Sequence, residues 1–434
     1  MGVINLDHTG SGGGVTLSSD GSSLLLGGSA VGGGGGADLY AANESSPSAQ
    51  PSATGANAVA IGDSSTASGT NSFAFGTNSV ASGSSTFAAG YDAVSSGGQS
   101  FAFGDDVNAT GQFSFCTGGG NATASGTSSI AMGYAATASN ENAVAIGRNT
   151  DATHSGSAAI GYDAQAVANQ AIALGESRAA GADSFAAAIA NNTSTYGAIG
   201  VNAVAIGKSA KASGNVSLAI GGQVALATAT YSIAIGTYSR ATGHSSIALS
   251  TETSGYYTDA SGSKAVAIGN TCKASGDNSF SLGTQSKSVE KGKYAYASGY
   301  FAAEGDAQGG QFILRSDTTD ATAEAMTTNN STAAATNQIV AANDTCIMFS
   351  GTIVAMQNGA QDQGGWQING LLKNDGGTTT LVNSEVRTFA DGNGWSIVLS
   401  ADNTNNALKV QCTGEASHNI RWVANIQTSE VTYA

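Results

Sequence analysis

Asn142-Ala143-Val144-Ala145-Ile146-Gly147 repeats, residue for residue, Asn57-Ala58-Val59-Ala60-Ile61-Gly62, and returns as Asn202-Ala203-Val204-Ala205-Ile206-Gly207. Looser copies stand between and after them. They include Phe73-Ala74-Phe75-Gly76, Phe101-Ala102-Phe103-Gly104, Ile130-Ala131-Met132-Gly133, Ile172-Ala173-Leu174-Gly175, Ile233-Ala234-Ile235-Gly236 and Val266-Ala267-Ile268-Gly269. The closing glycines fall at Gly62, Gly76, Gly90 and Gly104, then at Gly133, Gly147, Gly161 and Gly175, so the step within each run is fourteen residues. A short fixed period predicts a solenoid, because one unit cannot bury its apolar face alone and stacked neighbours can.

Each repeat has an apolar and a polar half. Val59 and Ile61 share one strand face and Ala58 and Ala60 the other, since strand side chains alternate with period two. This large-small alternation predicts that both faces are covered, one inside the coil and one by a contact outside it. The polar half, as in Ser64-Ser65-Thr66-Ala67-Ser68-Gly69, reads as a turn, a short strand and a second turn. Gly62 and Gly69 stand at the corners, where positive φ or a close backbone approach is needed. Fourteen residues are too few for a three-sided helix with long sides. They predict an all-β fold, a parallel β-roll of flat two-stranded coils. About seventeen coils up to Tyr300, at roughly 4.8 Å each, would stack to about 80 Å.

So thin a roll, rich in Ala and Gly, buries little apolar area per residue. Its second face therefore calls for another chain, and parallel chains call for a cyclic axis. The expectation is a homotrimer packed through Val59, Ile61, Phe73, Phe75, Val144, Ile146, Val204, Ile206, Ile233, Ile235, Val266 and Ile268.

The repeat breaks in three places. Phe113-Ser114-Phe115 leads to Cys116 where glycine is expected, with Gly118-Gly119-Gly120 following. Phe185-Ala186-Ala187 leads to Ala188 and then to a stretch ending Asn191-Asn192-Thr193-Ser194-Thr195-Tyr196. Ile247-Ala248-Leu249 ends in Ser250, and Thr253-Ser254-Gly255-Tyr256-Tyr257-Thr258-Asp259 precedes the next copy. These read as long turns on a rigid scaffold, where recognition usually sits. Tyr196, Tyr256 and Tyr257 are the receptor-binding candidates they offer, exposed tyrosines being suited to sugar or protein contact. Neutral insertion into a tolerant solenoid is the competing reading.

The 434 residues include 61 Gly and only 2 Pro, and charged residues make up 10%, against about 25% in ordinary domains. A formal net charge of -15 argues against nucleic acid and anionic lipid as partners. No apolar run has the length of a spanning helix, so membrane insertion is not expected. Met1 to Asp7 has no basic region or signal core, which predicts either a chain that does not use the usual secretory route or a truncated one. Cys116, Cys272, Cys346 and Cys412 form no CxxC pair, and no metal or cofactor is expected. The acids, among them Asp105-Asp106, Asp163, Asp183, Asp259, Asp362, Asp375 and Asp391, fall mostly in turns. With neither a paired-carboxylate arrangement nor a serine elbow, the expectation is a chain that is not an enzyme.

The sequence divides into three parts. Residues 1–54 hold a hairpin signal at Asp20-Gly21, a glycine run at Gly32 to Gly36 and a Ser/Pro linker, and read as an attachment cap. Residues 55–303 are the β-roll. Residues 304–434 read as an antiparallel β-sandwich holding all three tryptophans, with strands at Gln311–Leu314, Cys346–Ala355, Trp366–Leu372, Trp395–Leu399, Ala407–Cys412 and Ile420–Thr428. Trp395 and Trp422 alternate with apolar neighbours and read as core. Trp366 follows Gln363-Gly364-Gly365 and reads as reachable from a loop, an exposed receptor anchor.

The phrase Asn-Ala-Val-Ala-Ile-Gly, its fourteen-residue period and its small polar second half resemble the head repeats of YadA-type trimeric adhesins. That resemblance implies three left-handed parallel β-rolls side by side, and adhesion in general terms. The series Phe312-Ile313-Leu314-Arg315, Ala407-Leu408-Lys409-Val410 and Ile420-Arg421-Trp422-Val423-Ala424 resembles a C-terminal domain of bacteriophage tail fibres and related virion proteins. The opening Asn5-Leu6-Asp7-His8-Thr9-Gly10-Ser11-Gly12 is also similar to phage proteins. Together they imply a virion fibre, assembled in the host cytoplasm, docked to other virion proteins through the N-terminal cap. Its partner would be a host surface glycan or outer-membrane protein. A receptor-free structural spacer, the head fragment of a bacterial adhesin and a depolymerase are the alternatives.

Overall fold

A computed structural model describes residues 49–188, 195–251, 255–359, 362–392 and 394–433, together with the backbone of four short strands near the N-terminus. The described residues form strands and turns and no helix. They fall into two compact units, Met1–Ala164 and Gln165–Ala434.

In the first unit, Thr16–Ser19 pairs antiparallel with Leu24–Leu26, the hairpin expected around Asp20-Gly21. The turn itself and the Gly32 to Gly36 run lie outside the described residues. From Ser52 onward the coils stack in parallel at the predicted offset: Phe87 pairs with Phe101 and Ala88 with Ala102, while Val94 pairs with Asn108 in the second strand of the coil. The small face turns inward. Ala74, Ala88, Ala102, Ala131, Ala145 and Ala159 are fully buried from one strand, and Ala67, Ala81, Ala109, Ala124, Ala138 and Ala152 from the other. Two strands that close after so short a corner leave room for little more than a methyl group between them. Buried serines tie the corners: Ser72 Oγ donates to the Gly69 carbonyl at 2.7 Å.

The corners explain the repeated phrase. Asn57, Asn71 and Asn142 each have φ of 57°, a left-handed conformation that Asn tolerates best after Gly. Gly62 has φ of 118°, and a Cβ there would run into the backbone of Gly76 one coil on.

The reading of Cys116 is corrected. Phe115, Cys116, Thr117 and Gly118 pair with Phe101, Ala102, Phe103 and Gly104, so Cys116 occupies the inward alanine column and Gly118 is the corner. The extra residue comes afterwards, at Gly119-Gly120-Asn121, because Gly118 pairs with Gly133. Burial pushes the Cys116 thiol up to about 11, partly opposed by backbone hydrogen bonds.

In the second unit the coils continue to Tyr294–Ala297. Ala188 and Ser250 do stand in glycine positions, paired with Gly175 and Gly269. The last coil strand then pairs antiparallel with Ala307–Thr318. That strand opens a five-stranded antiparallel sheet in the order Ala307–Thr318, Ile420–Thr432, Thr345–Gln357, Gln363–Asp375, Thr378–Asp391. A smaller sheet, in which Ala407–Thr413 pairs with Ser396–Asp402, Glu324–Ala325 and Ile339–Val340, covers its inner face. One core lies between them, built from residues such as Phe312, Phe349, Trp366, Ile368, Leu408 and Trp422.

Candidate functional site

The large side chains of the repeat point out of the coil. In the first unit Val59, Ile61, Phe75, Val144 and Ile146 are half-buried, and Phe73 is 41% exposed. Phe87, Phe101 and Phe115 stack as a ladder, with ring centroids 4.7 Å and 5.1 Å apart. In the second unit Val204, Ile233, Val266 and Ile268 are half-buried, while Ile206 and Ile235 are exposed. Each unit thus carries an outward apolar row with one flank contacted only by its own coil neighbours.

Of the three tyrosine candidates, Tyr256 is exposed, whereas Tyr196 and Tyr257 are half-buried. Residues 189–194 and 252–254, which complete their loops, lie outside the described residues. Tyr257 packs edge-on against Tyr238 at 5.8 Å and lies 5.0 Å beneath the Arg240 guanidinium. Arg240 Nη2 pairs with Asp259 Oδ2 at 2.5 Å, and Tyr238 donates its hydroxyl to Gln223 Oε1 at 2.9 Å. Hydrogen bonding to Asp259 raises the Arg240 pKa against the opposing effect of burial. The loop after Ser250 therefore ends on a tied polar-aromatic cluster, with Tyr256 left at the surface beside it.

Trp366 is not an exposed anchor. It is 3% exposed and stacks on Trp422 at 5.4 Å, with Trp395 on the same partner at 5.7 Å. The glycines before it are strand residues, not a loop. A Cβ at Gly364 would collide with the Trp366 ring, so the missing side chain makes room for the indole. Trp395 and Trp422 are core, as their apolar alternation indicated.

The sandwich carries a groove that pattern reading missed. It is open to solvent, about 1030 Å³ in volume, and lies beside Asp317, Val354, Met356, Gln357, Asn419 and Arg421, where three strand ends meet. Gln357 is buried, and among the described residues its Oε1 has no hydrogen-bond partner. Sequence gave no signal for this groove, since its lining comes from three strands far apart in the chain.

A buried ionic cluster fastens the last coil to the sandwich. Lys293 Nζ lies 2.8 Å from Glu430 and 3.3 Å from Glu290, with the Phe312 ring 5.4 Å away. Gln308 Nε2 and Thr428 Oγ1 donate to the two oxygens of Glu430 at 2.8 Å and 2.7 Å. Burial alone would push the Glu430 carboxyl up; Lys293 and these donors outweigh it and hold it below its ordinary range.

The YadA head domain repeat matches residues 53–79, 81–106, 119–150, 155–175, 198–223, 227–249 and 260–286. No curated protein sequence matches the chain. Among solved structures, the chain is similar to the tailspike protein gp49 of Acinetobacter baumannii bacteriophage Fri1, a capsular polysaccharide depolymerase. That similarity is 9% identity over 87% of this chain and 70% of the other, at a TM-score of 0.23. The resemblance drawn from the sequence to YadA-type heads has a counterpart in the family match. The expectation that the chain is not an enzyme is corrected: a tailspike it is similar to is a depolymerase, so absence of catalysis is not a conclusion here. A TM-score of 0.23 equally supplies no mechanism. Over those segments of residues 53–286 the solenoid coils are similar to YadA head-domain repeats.

Proposed function

We propose that the protein is a trimeric fibre of a phage particle that attaches the virion to its host surface. The observation that carries this reading is the inverted packing of the coil. Alanines fill its interior, and the large apolar side chains form half-exposed rows outside it. Rows of that kind on a repeating scaffold are an assembly surface, and a closed symmetric oligomer covers them without leaving an end unpaired. The N-terminal segment of residues 1–54 is the end that joins other virion proteins. The C-terminal sandwich and the surface around Tyr256, Tyr257 and Tyr196 are the parts offered to the host.

Two measurements test the proposal. Light scattering on the purified chain is expected to give three times 42.5 kDa; a monomer mass in mild buffer would sink the trimer. Fluorescently tagged trimer is expected to adsorb to host cells and to compete with phage. A trimer that forms but neither adsorbs nor competes would leave a receptor-free spacer as the better reading.

A further inference from the structure

Arg148 is the single Lys or Arg in residues 1–164. It stands directly after a corner glycine, Gly147, and the equivalent positions one coil before and one coil after are Tyr134 and Tyr162. The register is set by Met132, Ile146 and Ile160, which pair in series. The Arg148 guanidinium lies 5.7 Å from the Tyr134 ring centroid and 5.8 Å from that of Tyr162. All three residues are exposed, Tyr134 at 58% and Tyr162 at 51%. Among the described residues, the guanidinium has no ion pair and no hydrogen bond, and neither phenol hydroxyl has one. The contrast with Arg240, tied to Asp259 in a similar aromatic setting, is direct.

We propose that the row Tyr134–Arg148–Tyr162 binds one carboxylate-bearing sugar unit of an otherwise neutral glycan chain. The two rings hold the guanidinium in place between them, so less side-chain freedom is lost when its fork of donors meets a planar carboxylate. The flanking hydroxyls and ring edges add donors and apolar contact for the sugars on either side. One cation matches one carboxylate, where a phosphate monoester would bring more charge than the row supplies. A polyanion is excluded by its surroundings. Asp163 follows Tyr162 in the chain, and Asp105 and Asp106 occupy the same corner three coils earlier. The same repulsion sets this site apart from a nucleic-acid surface. Tyr134 also has a fitted seat, since a Cβ at Gly120 would collide with its ring.

The inference rests on the host-attachment reading and supplies a ligand class for it. The test uses the purified chain and a trisaccharide carrying one glucuronate between two glucose units, against its neutral methyl ester. Calorimetric titration is expected to show binding of the acid form only. Arg148→Gln is expected to weaken it at least about tenfold, and Arg148→Lys by less, because the ammonium keeps the charge and loses the fork. Melting temperature and oligomer mass should be unchanged in both variants. Equal binding of acid and methyl ester would overturn the proposal, as would wild-type affinity in Arg148→Gln. Stronger competition by glucose 6-phosphate than by glucuronate, or no binding by the wild-type chain at millimolar sugar, would also overturn it. No cells enter this assay, so those failures leave the fibre reading to its own adsorption test.

Discussion

The coils and the sandwich solve the same packing problem in opposite ways. In a coil the alanines go inside and Val, Ile and Phe go outside. In the sandwich Phe312, Phe349 and three tryptophans meet in the middle of two sheets. The physical difference is thickness. Sheets packed face to face sit about 10 Å apart and hold large side chains between them, whereas a fourteen-residue coil closes on methyl groups. Hydrophobic stabilisation follows apolar area removed from water. The sandwich removes it within one chain, while the coils leave a large part of theirs half-exposed. One region closes on its own large side chains; the other repeats a half-exposed apolar row at every turn.

The sharpest break of this contrast is Trp366→Ala. Truncating a buried aromatic of this size costs about 3–5 kcal/mol, and the loss should appear in the melting transition of the sandwich with the coils unaffected. Adsorption lost without any fall in melting temperature would return Trp366 to the surface and undo the assignment of the core.

Lys293→Met comes next. It leaves Glu430 and Glu290 buried without their cation, at a cost of about 3 kcal/mol. Lys293→Met/Glu430→Gln should recover part of that loss, since the most tightly paired carboxylate is then neutral. The acid limb sharpens the point. Glu430 is held below its ordinary value of 4.5, so its contribution is complete above pH 4.5 and is lost as pH falls through the lower folded value. Lys293 has a raised pKa: burial lowers it, but Glu290 and Glu430 more than reverse this. Its contribution is present below pH 10.5 and lost as pH rises beyond that, through the folded value. Lys293→Met should therefore flatten the fall in stability below pH 4.5 relative to wild type, measured by urea unfolding at a series of pH values. An unchanged slope would mean that the pair does not govern that limb.

A paired substitution probes the coil itself. Ala102→Leu puts extra carbon atoms into a column with no space and should cost about 2 kcal/mol. Phe101→Ser, one residue away on the outer face, should cost less in the isolated chain and show instead as a lower oligomer mass on dilution. If Phe101→Ser destabilises the chain more than Ala102→Leu at every concentration, the outer row is held by its own coil and needs no partner.

Much of this was legible in the sequence because the solenoid writes its period into the residues. Three full copies of one phrase, with glycines fourteen apart, locate the coils, and the large-small alternation separates the two faces. Alternation alone could not say which face is inside; corner geometry decides that. The register slip at Cys116 arose because the last outward residue of that copy is Thr117, so the apolar pattern stops one residue before its glycine. In the sandwich, Thr378–Asp391 was not anticipated as a strand, since most of its residues are exposed and only Leu381 and Val386 on it pack against the core. Trp366 was misplaced because a Gly-Gly pair signals a loop as readily as it signals space for an indole. The row at Arg148 is visible in sequence only after the coil register is known, because its members are fourteen residues apart.

The smallest expected effect concerns the corners. Asn fills the left-handed position in the best-formed copies, but Val216 holds it with φ of 54° and is 47% exposed. A β-branched residue is strained there, whereas Asn is tolerated, and strain of this kind is worth about 1 kcal/mol. The backbone is already set by the coils on either side: Val216 N donates to the Val201 carbonyl at 2.8 Å. Asn215 Oδ1 accepts from the Val201 N–H at 3.2 Å, which fixes the preceding residue as well. Val216→Asn should thus relieve strain without moving the chain, and raise stability by about 1 kcal/mol in thermal or urea unfolding. The same change at Val204, an outward residue of the neighbouring strand with ordinary strand geometry, should do the reverse. It would place a polar group on the apolar row and lower the oligomer's resistance to dilution. If both substitutions destabilise alike, Val216 belongs to the covered surface, and the division between strained corner and assembly face must be redrawn at that coil.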